Sequence, residues 1–208
     1  MTVKLKWSGR LVSVQPRIRL HRSFDERWHT YLGFALGIAG TIGDETREFS
    51  VGIGKAAQAK HAFHVGDVVQ GASVPVPDPR TESVETYKAS GLKVVEPSAP
   101  AGAGPPWHSV PPALDIYRAR GHRRLAARTY TVLCSTCLWG CRMPVEIIVD
   151  HWNPGRKRYR TETFCYGPKS CGRYRSGPTR KVPGRQGMSH TEEDWVDEDA
   201  TAHRQPDD

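Results

Sequence analysis

The chain has 208 residues, enough for one large domain or two small ones, and 38% of them are hydrophobic. Its 20 glycines and 16 prolines indicate short elements and many turns, which argues against a long helical bundle. No segment reaches the roughly 18 to 20 apolar residues that span a bilayer, and the N-terminus lacks the apolar run of a signal peptide. We therefore expect a cytoplasmic protein without membrane contact.

The formal net charge of +8 is unevenly distributed along the chain. Residues 1–114 carry +3, residues 115–185 carry +12, and residues 186–208 carry −7. A dense Arg-rich segment is typical of proteins that bind a phosphate backbone, because neutralised phosphates release condensed counterions. The alternative interpretation is a solvated basic surface with compensating acids nearby.

Alternating apolar residues predict a mainly β fold, with five short strands and one helix in the first 95 residues. Glycines inside the second strand indicate bulges or tight curvature, as the closure of a small barrel requires. The first strand is expected within 5–20, and the others at 31–42, 48–53, 68–74 and 85–95, with a helix at 55–63.

A Gly-Asp turn leads into the fourth strand, in a run that extends from Phe63 to Gly71. This run and the order of the elements resemble OB-fold nucleic-acid binders over residues 5–95, although an SH3-like barrel or a split sandwich stays open. The resemblance implies a binding face on strands two and three that uses basic and aromatic side chains. The residues that fit such a face are Arg17, Arg19, Arg22, Trp28 and Tyr31. Alternation places Phe34 and Leu36 on the buried face and predicts that Tyr31 is exposed.

Six prolines between positions 97 and 112 predict a semi-extended linker at 96–113, after a first domain at 1–95. Trp107 is unusual in such a segment and could anchor it to one domain. A basic domain follows at 114–185, beginning with a helix-compatible stretch at 114–127 and β-like stretches at 129–133, 145–149 and 159–166. Residues 186–208 form an acidic tail or a short helix, with Thr191 as its cap.

All five cysteines lie between positions 134 and 171, which in a reducing cytoplasm favours metal binding over disulfides. A CxxC pair, Cys134 and Cys137, is followed by a second pair, Cys165 and Cys171, and this arrangement resembles a zinc ribbon. The spacing of the second pair departs from the usual two residues. We expect these four thiols to hold a structural Zn²⁺, with Cys141 or His151 as reserve ligands. An iron-sulfur cluster on Cys134, Cys137 and Cys141 is the alternative.

Basic residues interleaved with tyrosine surround the second cysteine pair and predict phosphate contact with base stacking. The candidates are Arg156, Lys157, Arg158, Tyr159, Arg160, Arg173 and Arg175. For Arg173 and Arg175, a turn-rich segment that packs on the zinc ribbon is an equally good interpretation.

The chain has no GxSxG, HExxH or GxGxxG motif, so an enzyme has no support in the sequence. We expect a non-enzymatic, zinc-containing protein that binds single-stranded or structured DNA or RNA. One alternative is an OB-fold and zinc-ribbon module that binds a protein or acyl-CoA, since a family associated with acyl-CoA and thiolase partners combines both parts in the reverse order. The other alternative is an iron-sulfur redox protein.

Overall fold

The computed structural model of the protein describes residues 3–99, 102–193 and 195–208, and of Trp195 the backbone alone. The protein is mainly β, and its helices are short. The first half contains β1 (Leu5–Arg22), β2 (Arg27–Ile42), β3 (Glu45–Ile53), α1 (Lys55–His61), β4 (Val68–Pro75) and β5 (Thr86–Glu96). The second half contains α2 (Leu114–Arg120), β6 (Arg123–Arg124), α3 (Ala127–Thr129), β7 (Gly140–Ile148), β8 (Lys157–Cys165), β9 (Arg180–Pro183), β10 (Ser189–Glu192) and α4 (Trp195–Thr201).

Strands β1 to β5 form a ring in the order β1-β2-β3-β5-β4-β1. Neighbouring strands of the ring are antiparallel, except that β3 and β5 pair in parallel through Val51 and Thr86. The length of β1 makes the ring possible, because Leu5–Arg10 pairs with β4 while the rest of the strand continues along β2. All five strands and the helix predicted for residues 5–95 are present.

A β-bulge at Leu32 changes which side chains of β2 face inward. Arg17 pairs with Gly33 and the next residue of β1 pairs with Tyr31, so Leu32 is left without a partner. Gly33 has φ +133°, and a Cβ there would lie 2.0 Å from the carbonyl oxygen of Ile53. The bulge reverses the alternation, and Tyr31 consequently packs against the core instead of being exposed as predicted.

The sheet continues from the ring into the second half of the chain. Leu20–Arg22 of β1 pairs in parallel with Val145–Ile147 of β7, which is followed by β8 and β6. One apolar cluster includes Phe34 of the ring together with Phe164 of β8. The predicted linker crosses between β5 and α2 and is attached there, since the carbonyl of Trp107 accepts a hydrogen bond from Leu138 N–H at 3.0 Å. Residues 100 and 101 of that linker lie outside the described residues.

Two stretches of the second half adopt a different structure from the predicted one. The β-like residues 129–133 are helical, since α3 continues into a π-helical turn, Tyr130–Cys134. The hydroxyl of Tyr130 donates to Gln15 Oε1 of β1 at 2.7 Å, and this tertiary contact holds the turn against its β propensity. The predicted helix at 114–127 ends early, because Gly121 has φ +67°.

The acidic tail folds back onto the basic region. Thr191 lies in β10, so it is not the predicted helix cap, and α4 begins four residues later. Glu192 is buried and receives hydrogen bonds from Arg22 at 2.8 Å and Arg27 at 2.7 Å. Asp197 accepts from the buried guanidinium of Arg124 at 3.0 Å. The tail is therefore an integral part of the fold.

Replacing Glu192 with Gln should destabilise the protein by about 3 kcal/mol, because it leaves the buried Arg22 guanidinium without its counter-ion. The matched control is Glu45→Gln, which removes an exposed ion pair with Arg47 and should cost less than about 1 kcal/mol. Urea unfolding of both variants at pH 7 measures the difference. Equal effects for the two substitutions would show that the buried pair contributes nothing special.

A buried histidine pair should make stability fall in mild acid. The rings of His29 and His122 lie 4.8 Å apart. Burial, with a smaller contribution from Arg27, lowers the pKa of His29 to about 4, and burial also lowers the pKa of His122. As the pH falls, the unfolded chain therefore binds protons at these histidines before the folded protein does. Part of the free energy of unfolding that is present at pH 7 is lost below about pH 6.5.

We expect the wild type to lose about 2 kcal/mol per buried histidine between pH 7 and pH 5, and His29→Gln to lose about 2 kcal/mol less. Urea unfolding at the two pH values gives both numbers. A pH dependence that is the same in His29→Gln and wild type would refute this assignment.

Candidate metal centre and nucleic-acid interface

The four cysteines predicted as ligands line one small cavity. Cys134 ends the π-helical segment and Cys137 lies in the turn that follows, where Cys137 N–H donates to the carbonyl of Cys134 at 3.1 Å. Cys165 is the last residue of β8. Cys171 follows in a turn in which its N–H donates a hydrogen bond to the carbonyl of Pro168 at 3.2 Å. Two turns that are distant in sequence thus present their thiols to the same space, beside Trp107 and Trp139.

Backbone N–H groups point to two of these sulfur atoms. Gly167 N–H donates to Cys165 Sγ at 3.4 Å. Burial raises the pKa of the Cys137 thiol, although N–H groups of Trp139, Trp107 and Gly140 act in the opposite direction. Burial and the neighbouring thiols raise the pKa of Cys134 to about 12. Such thiols need a nearby cation to become thiolates.

The two reserve ligands lie elsewhere. Cys141 is fully buried among apolar residues and its thiol donates to the carbonyl of Pro16 at 3.4 Å. His151 is exposed and lies 3.5 Å from Asp25 at the other end of the sheet. The structure therefore does not bring Cys134, Cys137 and Cys141 around one point, as the iron-sulfur alternative requires.

Three arginines surround Cys165 and have unused hydrogen-bonding capacity. The guanidinium groups of Arg120, Arg123 and Arg204 would stabilise a thiolate at Cys165. Those of Arg120 and Arg123 also lie over the rings of Trp139 and Tyr174, at 4.4 and 3.9 Å from the ring centres. Each of the three arginines has at least one buried N–H without an acceptor among the described residues. Burial and the other two arginines lower the pKa of Arg204 to about 10. Buried donors of this kind are costly unless an anionic group faces them.

Within the described ranges, no group of three or more His, Cys, Asp or Glu side chains has the arrangement of a metal site. The four thiols therefore border a common cavity without forming a finished ligand set. A tetrahedral site with Zn–S distances of about 2.3 Å would require their side chains to turn further inward.

A basic cleft of about 620 Å³ lies between β8 and the two-stranded ribbon of β9 and β10. Arg156, Arg158 and Lys181 are exposed along it and form no ion pair within the described residues. The apolar part of its lining is Ile147, Val149, Pro183 and Met188. We call this surface the β8–β9 cleft.

Other residues predicted on β8 are partly neutralised. Arg160 pairs with Glu162 and donates to the carbonyl of Lys181 at 2.7 Å, which joins the ribbon to β8. Lys157 pairs with Glu146 at 2.8 Å and does not line the cleft. Tyr159 lines the cleft, with the guanidinium of Arg80 lying 4.7 Å from its ring centre.

The ring residues predicted to contact nucleic acid are mostly engaged within the protein. Arg17 and Arg22 are buried and ion-paired with Glu82 and Glu192, so their guanidinium groups do not face solvent. Arg19 also pairs with Glu82, at 3.0 Å. Two aromatic rings are covered on one face, since Trp28 stacks on His21 at 5.3 Å and Tyr31 lies under Arg118.

The outer face of the ring differs from the expected aromatic platform. A cleft of about 310 Å³ there is lined by small residues such as Ser13, Gly37 and Ser50, with Tyr130 and Thr131 at its edge. Among the predicted residues near the thiols, Arg173 lines the thiol cavity, while Arg175 is exposed and donates to the carbonyls of its own turn.

Sequence reasoning missed Lys181 and Met188 as lining residues of the β8–β9 cleft. Lys181 lies in the separate two-stranded sheet of β9 and β10 and Met188 in the turn between these strands, and strands of four residues are too short to show a periodic signal. The concentration of Lys and Arg between 173 and 185 was the signal that could have led to Lys181.

Comparison of the chain with protein-family models, curated proteins and solved structures finds no match. No helix within the described part of the chain is long and apolar enough to cross a membrane.

Proposed function

We propose that this chain is a non-enzymatic, zinc-containing protein that binds nucleic acid through the β8–β9 cleft in the cytoplasm. The observation that carries this proposal is the set of exposed, unpaired cations along one cleft, Arg156, Arg158 and Lys181. Two other basic residues of β8 are paired with carboxylates: Lys157, outside the cleft, and Arg160, within it. A phosphate backbone is the polyanion that such a row of cations fits.

We also propose that the ring is an OB-like barrel. Its strand order and the position of α1 between β3 and β4 support this assignment. Asp67 of the Gly-Asp turn is buried and accepts hydrogen bonds from the N–H groups of His64 and Ser98 at 3.2 and 2.9 Å. In this arrangement the barrel acts mainly as the scaffold from which β7 and β8 extend.

The zinc ion of a unit similar to a zinc ribbon would be held by Cys134, Cys137, Cys165 and Cys171. Four thiols around one cavity suit zinc, and a tetrathiolate site carries a net charge of about −2. The unsatisfied N–H groups of Arg120, Arg123 and Arg204 are the buried donors that such an anionic centre would satisfy. Bound zinc would supply folding free energy to the two cysteine-bearing turns.

The metal assignment predicts that Cys137→Ser loses bound zinc, whereas Cys141→Ala, at the buried cysteine outside the cavity, retains about one zinc per chain. Metal content of purified protein, together with thiol titration, measures both. Zinc loss in Cys141→Ala, or full zinc in Cys137→Ser, would contradict the proposed ligands.

The binding assignment predicts that Arg156→Gln with Arg158→Gln weakens binding of a polyanionic oligonucleotide about 10-fold or more and lowers the salt slope by about 1.4. The matched control removes two exposed lysines of α1, Lys55→Gln with Lys60→Gln, and should leave affinity nearly unchanged. Fluorescence anisotropy at several salt concentrations gives both quantities. Equal losses in both variants, or binding of acyl-CoA in place of the oligonucleotide, would overturn the proposal.

A further inference from the structure

Trp152 is the most exposed large apolar side chain among the described residues, at 84%. It lies at the tip of the turn between β7 and β8. Hydrogen bonds hold this turn: the side chain of Asp150 accepts from Trp152 N–H at 3.0 Å, and the carbonyl of Asn153 accepts from Arg156 N–H at 2.9 Å. The indole is thus presented to solvent by an ordered turn.

Exposure of this ring is unfavourable unless a ligand covers it, because burying a large apolar side chain yields about 1.5 to 3 kcal/mol. Other tryptophans of the described chain have partners. Trp7 is buried in the core, Trp139 packs on Tyr117, and Trp28 stacks on His21. Trp152 differs from these three in its exposure, since 84% of it is accessible, against 42% for Trp28, which is stacked on one face.

The turn that carries Trp152 also borders the β8–β9 cleft. At the base of the turn, Val149 N–H donates a hydrogen bond to the carbonyl of Arg156 at 3.3 Å, and both residues line the cleft. Met188, half exposed, lines the same cleft from the ribbon. The turn that carries the indole therefore starts at the end of the row of cations.

Tyr159, the tyrosine within the basic run, is less suited to stacking. Arg80 covers one face of its ring, and its hydroxyl lies 3.5 Å from Glu146. The free ring beside the cations is therefore that of Trp152.

We infer that the β8–β9 cleft and the Trp152 turn bind single-stranded nucleic acid, with phosphates along Arg156 and Arg158 and an unpaired base stacked on Trp152. This inference rests on the proposed function and adds the kind of nucleic acid. In a duplex the base faces are occupied by neighbouring bases, so only a single strand can offer one to the indole. Stacking is tolerant of sequence, because every base has a π-face.

The test compares a labelled 12-nucleotide oligothymidylate with a 12-base-pair duplex, using wild type, Trp152→Ala, Trp152→Phe and the control Trp28→Ala. We expect Trp152→Ala to weaken single-strand binding roughly 5- to 50-fold, with an unchanged salt slope and unchanged duplex binding. Trp152→Phe should retain most of the affinity. Trp28→Ala should bind like wild type, since its ring already stacks on His21.

Thermal unfolding of each variant checks that the exposed substitution leaves the fold intact. If Trp152→Ala binds the single strand like wild type while Arg156→Gln with Arg158→Gln binds weakly, stacking is refuted and nucleic-acid binding stands. If wild type binds neither oligonucleotide, both fail. Loss of binding to vesicles containing phosphatidylserine, with unchanged oligonucleotide binding, would assign Trp152 to a membrane surface and also overturn the inference.

Discussion

Strand β1 determines where every other part of the molecule lies. Its first residues pair with β4 and close the ring. Nearly the whole strand pairs with β2, and Leu20–Arg22 also pairs in parallel with β7. The ring and the cysteine-bearing half are therefore joined by backbone hydrogen bonds and by a shared apolar cluster, in addition to the proline-rich segment. Because β8 pairs along β7, one end of β8 reaches the thiol cavity at Cys165 and the other begins beside the basic cleft.

The strands of the ring could be predicted because each buries one face, so that apolar residues recur at every second position. Glycines in the second strand indicated bulges or tight curvature, but the position of the bulge at Leu32 could not be predicted, because it depends on the close approach of Gly33 to Ile53 from another strand. That single inserted residue reversed the orientation of Tyr31. The parallel pairing of β1 with β7 joins residues more than 120 positions apart, and such long-range contacts leave no local pattern.

The four cysteines chosen from their spacing line one cavity, since a CxxC turn places two sulfur atoms together and a second turn brings the other pair, while a metal site there stays a prediction. Spacing did not predict the arginines around Cys165. Arg120 and Arg123 precede the first cysteine and Arg204 lies in the acidic tail, so only the fold brings them together. Likewise Arg17 and Arg22 are basic in sequence but serve as partners of buried carboxylates, because Glu82 and Glu192 arrive from distant segments.

Net charge by segment is therefore a poor measure of the charge that can act on a ligand. Within the segment of +12, Arg124 is committed to Asp197, Arg160 and Arg180 to Glu162, and Lys157 to Glu146. A carboxylate beside a cation reduces the field that the cation exerts on a distant ligand. Exposed cations without an ion pair among the described residues remain in several places, including Arg128, Arg142 and Arg185, but Arg156, Arg158 and Lys181 share a cleft that also has an apolar lining and borders the turn of Trp152. The β8–β9 cleft is therefore distinguished by its combination of unpaired cations with apolar side chains, which the net charge of the segment does not reveal.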